Sequence, residues 1–422
     1  MAEIKAFFGV RYAENIDLDK VICPPYDIIS ESEREELYQK SPYNIIRIEY
    51  GKELPNDNEK ENKFTRAKKS LDEWLNSGIL KKEDKESLYI LEQEFEVDGV
   101  IYKRTGIIAL IKLTPFSEGV VIPHEFTLSK PKEERLNLLK ATKTNISSIY
   151  GLYEDNKKEI ENILENIKKN KECFSYNGLG TKEKIWIEQD ENVINKLQSL
   201  FYDKKIFIAD GHHRYETALE YKKQMEEIYG KNPKADYNYV LITLTAIEDP
   251  GIVILPTHRV ITDSNISTQN LIEKLKENFE VIEGRFEDVN ENLNKNKKYS
   301  FVVYTSDKKY YFIKLKDQKV LDKINGSKPF KNLDVVILQE LILNDILGID
   351  AENLAKQKSL KYTKDINEAV KMVDEGAFCA FILNPTLVEE LKDVSLNGEK
   401  MPQKSTYFYP KLMTGNVIYV QR

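Results

Sequence analysis

The feature that most constrains the fold is an apolar stretch that runs into an Asp-Gly pair and then into a helical pattern. Residues 206–209 are typical of a buried strand, and Gly211 permits a tight turn. The apolar residues that follow recur three and four positions apart, as on one face of a helix: Ala218, Tyr221, Met225 and Ile228. The first amides of such a helix lack internal acceptors, and the helix dipole adds positive charge. The sequence therefore predicts a phosphate-binding corner at residues 210–214.

The side chains of this corner suit phosphate chemistry. Arg214 offers a planar bidentate clamp, and His212 and His213 offer neutral or charged donors, with His213 also a candidate catalytic group. Gly211 lets the backbone approach a ligand closely. Asp210 is interpreted as a Mg²⁺ ligand, a group that orients a hydroxyl, or a helix cap, and the residues alone leave these three readings open.

Spacing disfavours several other chemistries. His212 and His213 are adjacent, so their side chains diverge by about 100° on a helix, whereas zinc pairs on a helix prefer positions i and i+4. Neither common Gly-rich nucleotide loop occurs in the sequence. The three cysteines form no C-x-x-C pair, so we expect no disulfide framework: Cys23, Cys173 and Cys379.

Length and element signals predict several domains of the α+β class. A chain of 422 residues exceeds one ordinary core. Helical and strand patterns mix without a regular β-α-β rhythm, and we expect segments 1–113, 114–262 and 263–422. The tail of the last segment is interpreted either as a loop that closes over the site or as an aromatic-rich strand packed on the core. The clearest local signals are a capping box at Ser30, a helix over 62–76 and a hairpin that turns at Asp98-Gly99. Later patterns predict buried strands over 239–246 and 252–255, a strand pair over 300–305 and 310–315, and helices near 271–279 and 335–347.

The charge and the hydrophobic pattern of the chain indicate where the protein is located and which kinds of partner it lacks. With a net charge of −7, the chain lacks the basic excess typical of proteins that bind nucleic acid. No apolar run reaches the roughly 18 to 20 residues that a spanning helix needs, and the N-terminus has no signal-peptide pattern. The sequence therefore predicts a cytoplasmic protein without a membrane or nucleic-acid partner; its oligomeric state is left open.

All four histidines lie in segments with polar, functional chemistry. Besides His212 and His213, His124 precedes Glu125 in a Pro-His-Glu motif, and His258 precedes Arg259 in a Pro-Thr-His-Arg motif. None of them lies on the apolar face of a predicted helix. We therefore expect a shared site.

The segment Asp-Gly-His-His-Arg-Tyr-Glu-Thr-Ala-Leu resembles the signature of the ParB/sulfiredoxin superfamily. Sulfiredoxins carry Gly-Cys-His-Arg-Tyr at the same strand-to-helix corner, and ParB proteins carry a Gly-Glu-Arg-Arg version that contacts cytidine triphosphate. Here His212 stands in place of the sulfiredoxin cysteine, which argues against sulfinic acid reduction. Free serine kinases of this superfamily carry Asp-Gly-His-His-Arg itself, after a Pro-His-Glu whose glutamate is the catalytic base.

The whole chain resembles the DUF1015 family within that superfamily. The motifs that carry this resemblance extend nearly from end to end: Pro24-Pro25-Tyr26-Asp27, Pro123-His124-Glu125, Arg135-Leu136, Leu255-Pro256-Thr257-His258-Arg259 and Met401-Pro402-Gln403-Lys404-Ser405-Thr406. The resemblance implies a ParB/sulfiredoxin-like core with N-terminal and C-terminal elaborations.

The resemblance also implies a reaction. We expect a phosphotransferase that phosphorylates a free amino acid, L-serine first, with ATP or ADP as donor and Mg²⁺ as cofactor. Glu125 would accept the hydroxyl proton, and Lys404 would join Arg214 on the phosphates. The remaining residues would bind the substrate: His124, His258, Arg259, Ser405 and Thr406. Two alternatives stay open, namely a phosphoserine phosphatase or nucleotide hydrolase, and a ParB-like protein whose nucleotide state controls a partner.

Overall fold

The computed structural model describes residues 1–127, 129–349 and 359–421, which separate into two compact units. The first unit comprises Met1–Pro123, Thr127–Ile252 and Pro410–Arg422, and the second comprises His124–Phe126 and Val253–Tyr409. These boundaries differ from the three segments that the sequence predicts. The physical reason is strand pairing, because strands from before and after residue 113 form one sheet in the first unit.

The strands are short to medium in length and occur in both units. They are β1 Ile4–Lys5, β2 Val10–Tyr12, β3 Leu80–Lys82, β4 Leu88–Val97, β5 Val100–Lys112, β6 Val121–Ile122, β7 Thr144–Asn145, β8 Ile149–Tyr153, β9 Cys173–Asn177, β10 Thr181–Glu188, β11 Ile206–Asp210, β12 Tyr239–Ala246, β13 Val253–Leu255, β14 His258–Ile261, β15 Phe279–Gly284, β16 Ser300–Thr305, β17 Tyr310–Leu315, β18 Leu360–Thr363, β19 Cys379–Leu383, β20 Tyr407–Tyr409 and β21 Tyr419–Val420.

The helices range from single turns to a helix of 18 residues. They are α1 Leu18–Val21, α2 Glu31–Lys40, α3 Ile46–Glu49, α4 Lys63–Asn76, α5 Ser129–Thr142, α6 Glu159–Asn170, α7 Glu191–Phe201, α8 His212–Tyr229, α9 Thr268–Asn278, α10 Val289–Lys295, α11 Lys328–Lys331, α12 Asp334–Ile337, α13 Ile366–Asp374 and α14 Val388–Leu396. A π-helix, Leu338–Asn344, follows α12 directly.

The first unit is built on a mixed sheet in the order β6-β11-β8-β12-β5-β4-β10-β9, with β1 added beside β5. β11 pairs parallel with β6 and antiparallel with β8, whereas β12 pairs parallel with β8. Both faces of the sheet are apolar, because alternate residues of a strand point to opposite sides. Ile90 and Ile107 pack on one face with helices α6, α7 and α8, while Leu91 and Ile108 pack on the other with α3 and α4.

The second unit contains an antiparallel sheet in the order β15-β17-β16-β19-β14-β18, with a separate pair formed by β13 and β20. Its faces also alternate. Val260 and Ala380 pack against α13, and Val302 and Ile382 pack against α10. The architecture of both units is thus a mixture of helices and sheets, as the α+β prediction requires. The ParB/sulfiredoxin-like core stays a prediction.

Most predicted elements occur where local signals were strong. The capping box at Ser30, helix α4, and the β4–β5 hairpin are confirmed, and Asp98 and Gly99 both have positive φ angles, as a type I′ turn requires. Two predictions are wrong in part. The strand over 253–255 is half-buried rather than buried, because among the described residues it pairs with the short β20 alone. The helix near 335–347 changes to a π-helix after one turn of α12.

Candidate functional site

The first unit presents the predicted corner at the end of β11. The pairing of β11 with β8 shifts register between Ile208 and Asp210, an irregularity of the β-bulge kind at the end of the strand. Bulges of this kind re-aim side chains and are frequent beside active sites. Asp210 leaves the sheet here, Gly211 makes the turn, and α8 begins at His212. We call residues 210–214 the Asp-Gly corner.

Gly211 is required at this corner for two reasons. Its φ of 91° lies in the left-handed region, which side chains other than glycine rarely adopt. A β-carbon at this position would also meet the guanidinium of Arg214 at 3.0 Å. The glycine therefore lets the backbone turn and lets Arg214 lie directly against it.

Arg214 is held in place by two acceptors. Its Nη1 donates to the carbonyl of Ser148, and its Nη2 donates to Asp210 Oδ2 at 3.0 Å. The side chain is 13% exposed, so the guanidinium is positioned without being sealed from solvent. His212 is buried and His213 is half-buried at the start of the same helix. The structure thus groups Asp210, Gly211, the two histidines and Arg214 as the sequence predicts.

Lys411 also belongs to this corner, and sequence reasoning missed it. Its Nζ donates to Asp210 Oδ1 at 2.7 Å, and its side chain is 10% exposed. It follows the predicted motif at residues 401–406 by five positions, in a stretch without helical or strand periodicity. No local signal marks it, because its partner lies 201 positions earlier in the chain.

The carboxylate of Asp210 is fully engaged by these two cations. Burial alone would raise the pKa of this carboxyl, but the positive charges of Lys411 and Arg214 outweigh it and hold the pKa well below its usual range. Each carboxylate oxygen has its own cationic partner. Within the described ranges no group of three or more His, Cys, Asp or Glu residues could hold a metal ion. Because both oxygens of Asp210 already pair with side-chain cations, this carboxylate is poorly placed to hold a Mg²⁺, and its role as a metal ligand stays a prediction.

A buried ion pair lies behind the corner. Arg135 contacts Glu49 Oε1 at 3.3 Å, donates to the Glu49 carbonyl at 2.9 Å, and stacks on the ring of Tyr26 at 4.1 Å. Burial raises the pKa of Glu49, although the charges of Arg135 and Arg214 oppose that rise. Ser147, next to the carbonyl that holds Arg214, donates to Glu49 at 3.1 Å. Tyr26 of the Pro-Pro-Tyr-Asp motif and Arg135 of the Arg-Leu motif are thus in contact. Through Glu49 and Ser147 they support the chain beside the Ser148 carbonyl that holds Arg214.

The second unit groups other predicted residues into what we call the His-Glu cluster: His124, Glu125, Arg259, Lys404 and Thr406. His124 Nε2 and Thr406 Oγ1 lie 2.9 Å apart in hydrogen-bond contact. The amide of Lys404 donates to Glu125 Oε1 at 3.1 Å, and Lys404 has a left-handed φ of 58°. The predicted base and the predicted tail motif are therefore neighbours within this unit.

Arg259 is a buried cation in the same cluster. It is 3% exposed, and its guanidinium donates to the carbonyls of Thr257 and Lys404. Among the residues that the structure describes, no carboxylate forms an ion pair with it. Burial lowers the pKa of Arg259 to about 10. The guanidinium also lies over the ring of Tyr362, 5.7 Å from the ring centroid. A buried guanidinium with these contacts and no carboxylate partner among the described residues suits an anionic ligand.

Two of the predicted substrate residues, His258 and Ser405, are buried within the second unit. His258 is 1% exposed, and burial lowers its pKa to about 4. Its Nδ1 accepts from the Leu383 amide at 3.4 Å, and its Nε2 is buried. Ser405 is also buried and donates to the carbonyl of Pro402 at 2.6 Å. Both side chains are therefore packed and hydrogen-bonded inside the second unit.

A comparison with known protein families shows the family to which the chain belongs. The family model of DUF1015, a protein of unknown function, matches residues 4–336. The chain belongs to the DUF1015 family. The match extends over both units and includes the Asp-Gly corner, Glu125 and Arg259. No curated protein matches the sequence.

Solved structures give weaker similarities to this DUF1015 chain. A variant of free serine kinase in complex with ADP is 12% identical, with a TM-score of 0.37 over 71% of this chain and 87% of that one. A conserved hypothetical protein from Pyrococcus furiosus is 14% identical, with a TM-score of 0.36 over 75% and 94%. SbnI with a C-terminal truncation, from Staphylococcus aureus, is 12% identical, with a TM-score of 0.36 over 72% and 84%. Values this low support no inference about activity.

Within the described part of the chain, no helix combines the length and the apolar character that crossing a bilayer requires.

Proposed function

We propose that this protein is a phosphotransferase that takes a phosphoryl group from a nucleotide and transfers it to the hydroxyl of a free amino acid, with L-serine as the first candidate. The observation that carries the proposal is the Asp-Gly corner. A left-handed glycine, the N-terminus of an 18-residue helix and a positioned guanidinium occur there together. Each of these features favours bound phosphate.

The donor is proposed to bind through its phosphates. Gly211 and the first amides of α8 would contact phosphate oxygens, and Arg214 would counter charge that develops during transfer. His212 and His213 would contribute ring donors. Mg²⁺ would enter bound to the phosphates of ATP or ADP, as part of the substrate, because both oxygens of Asp210 already pair with Lys411 and Arg214.

Glu125 is proposed as the base that accepts the proton of the attacking hydroxyl. Its place in the Pro-His-Glu motif supports this role, and its contact with the Lys404 amide fixes one carboxylate oxygen. Arg259 is proposed to bind the carboxylate of the amino acid, because it is a buried cation that pairs with no carboxylate among the described residues and donates to two carbonyls. His124, Lys404 and Thr406 would position these groups.

The test is phosphorus NMR of the pure protein with Mg²⁺, ATP or ADP, and a pool of amino acids. The proposal expects a phosphomonoester resonance, which grows only when an amino acid with a hydroxyl is present. Release of inorganic phosphate from phosphoserine alone would instead indicate a phosphatase. Nucleotide binding without turnover would indicate a nucleotide-controlled binding protein.

Glu125→Gln is expected to abolish turnover while it changes nucleotide affinity by no more than about threefold, because the base acts only in the chemical step. Glu390→Gln is the matched control, since Glu390 is also a carboxylate of the second unit that accepts a backbone amide, from Leu387 at 2.9 Å. The control should keep full turnover. An active Glu125→Gln enzyme would exclude Glu125 as the base.

A further inference from the structure

Lys411 reaches the Asp-Gly corner from the C-terminal segment of the first unit, and that segment is firmly anchored. The backbone of Thr414 exchanges hydrogen bonds with Cys23, and the backbone of Ile418 does so with Val10. Strand β21 pairs with β7 beyond them. The position of Lys411 is therefore set by the fold of the first unit rather than by a free chain end.

A buried polar network fixes the residue directly before Lys411. Arg104 is 1% exposed, and its Nη2 donates to the carbonyl of Pro410 at 2.7 Å. Its Nε donates to Gln93 at 3.1 Å, and Gln93 donates in turn to Glu183 at 2.8 Å. Placing charged and polar groups this deeply is costly unless each finds a partner. The network therefore holds the Pro410 carbonyl rigidly, and Lys411 is aimed from a fixed backbone.

Asp210 links this lysine to Arg214. One carboxylate oxygen accepts from Lys411 at 2.7 Å and the other from Arg214 at 3.0 Å. By itself Asp210 would repel a phosphate bound at the start of α8, whereas two cations beside it counter that repulsion. Cations that are already oriented lose little conformational freedom when a ligand binds.

We propose that Lys411 is a phosphate-binding residue of the Asp-Gly corner, and that Asp210 is a positioning residue that presents Lys411 and Arg214 to the ligand instead of holding Mg²⁺. This inference rests on the proposed function, because it assumes that a nucleotide binds at the corner. It adds a second side-chain cation beside Arg214 to the neutralisation of phosphate charge, and it replaces the metal-ligand reading of Asp210 with a positioning role.

The first experiment measures the affinity for ADP and for adenosine by calorimetry in buffer with EDTA. Lys411→Met should weaken ADP binding about tenfold or more, because it removes a charge-assisted contact, and should change adenosine binding less than about twofold. Lys411→Arg should restore ADP binding to within about threefold of the wild type. A lysine with only a structural role would lower thermal stability but leave the preference for ADP over adenosine unchanged.

Lys168→Met is the matched control. Lys168 has a side chain of 9% exposure and an ion pair with Glu92 at 2.9 Å, much like Lys411 with Asp210. Glu92 lies on β4, four strands along the sheet from β11. This variant should bind ADP within about twofold of the wild type.

The second experiment measures the coupling of Asp210 to Lys411 and to Mg²⁺. In the Asp210→Asn background, Lys411→Met should weaken ADP binding less than it does in the wild type, because the lysine is no longer positioned. The ratio of ADP affinities with Mg²⁺ and with EDTA should be the same for Asp210→Asn and wild type. A ratio that collapses in the variant would show that Asp210 is a metal ligand and would overturn the inference.

These measurements distinguish failure of the proposed function from failure of the role proposed for Lys411. If the wild-type protein binds ADP no better than adenosine, the proposed function fails. If it prefers ADP but Lys411→Met binds ADP equally well, only the role of Lys411 fails.

Discussion

Gly211 shows how one residue joins the local fold to the proposed chemistry. Its left-handed backbone turns the chain from β11 into α8, and the absence of a β-carbon lets Arg214 lie against it. Sequence alone predicts the turn, because an Asp-Gly pair between a strand and a helix is a strong local signal. It does not predict the guanidinium contact, which depends on the carbonyl of Ser148, the residue just before β8.

Gly211→Ala is expected to weaken both folding and phosphate binding. The left-handed φ costs an alanine about 1–2 kcal/mol of unfolding free energy, and its β-carbon would displace Arg214. We expect ADP affinity to fall about tenfold, as for loss of one charge-assisted contact. Denaturant unfolding and ADP calorimetry measure the two effects separately.

Gly230→Ala provides the control at the opposite end of the same helix. Gly230 also has a positive φ, of 77°, but a β-carbon there would meet no atom within 4 Å. This variant should lose a similar amount of stability and keep its ADP affinity. Equal losses of ADP affinity in both variants would show that the effect comes from stability alone.

Whether the sequence predicts a site residue depends on how far along the chain its partners lie. Asp210 through Arg214 are contiguous, so one motif names them all. Lys411 is held to Asp210 by a contact across 201 positions, and Arg104 reaches Pro410 across 306. Contacts of that range follow from the pairing of strands and segments, which a single sequence does not specify.

At the scale of elements, the sequence predicts those whose pattern is local. The β4–β5 hairpin follows from alternation around Asp98-Gly99, and α4 follows from its apolar spacing after Asn62. The bulge in β11 does not follow from its residues, because Ile206 to Ala209 are uniformly apolar and fit several registers. Partner strands β6 and β8 set the register.

Strand β14 makes stability depend on pH, because it buries His258 inside the six-stranded sheet of the second unit. Burial lowers the pKa of His258 to about 4, against about 6.5 in an unfolded chain. Between those values the unfolded chain binds more protons, so stability rises with pH. His258 should therefore remove up to roughly 3 kcal/mol of stability as pH falls from about 6.5 to about 4.

The measurement compares unfolding free energies of wild type and His258→Leu across that pH range. The quantity to compare is the wild-type unfolding free energy minus that of the variant, because Asp334 has the opposite effect in both proteins. Burial raises the pKa of Asp334 to about 7, so its contribution to stability falls as pH rises toward 7. The wild type should lose stability relative to the variant as pH falls. A pH-independent difference would contradict a buried neutral histidine.

At the scale of the whole molecule, length predicts more than one unit but not which segments form each. Pro410–Arg422 belongs to the first unit, and His124–Phe126 belongs to the second. Neither assignment follows from composition, because both segments are short and each directly follows residues of the other unit. The family match to DUF1015 is a property of the whole chain, and it supports membership without specifying a reaction.

The central claim is that the Asp-Gly corner binds the phosphates of a nucleotide. Calorimetric titration of the wild-type protein and Arg214→Met with ADP and adenosine tests it most directly. The account predicts that the wild type binds ADP at least about tenfold more tightly than adenosine, and that Arg214→Met loses most of this preference. Equal affinity of the wild type for ADP and adenosine, or an unchanged preference in Arg214→Met, would contradict it.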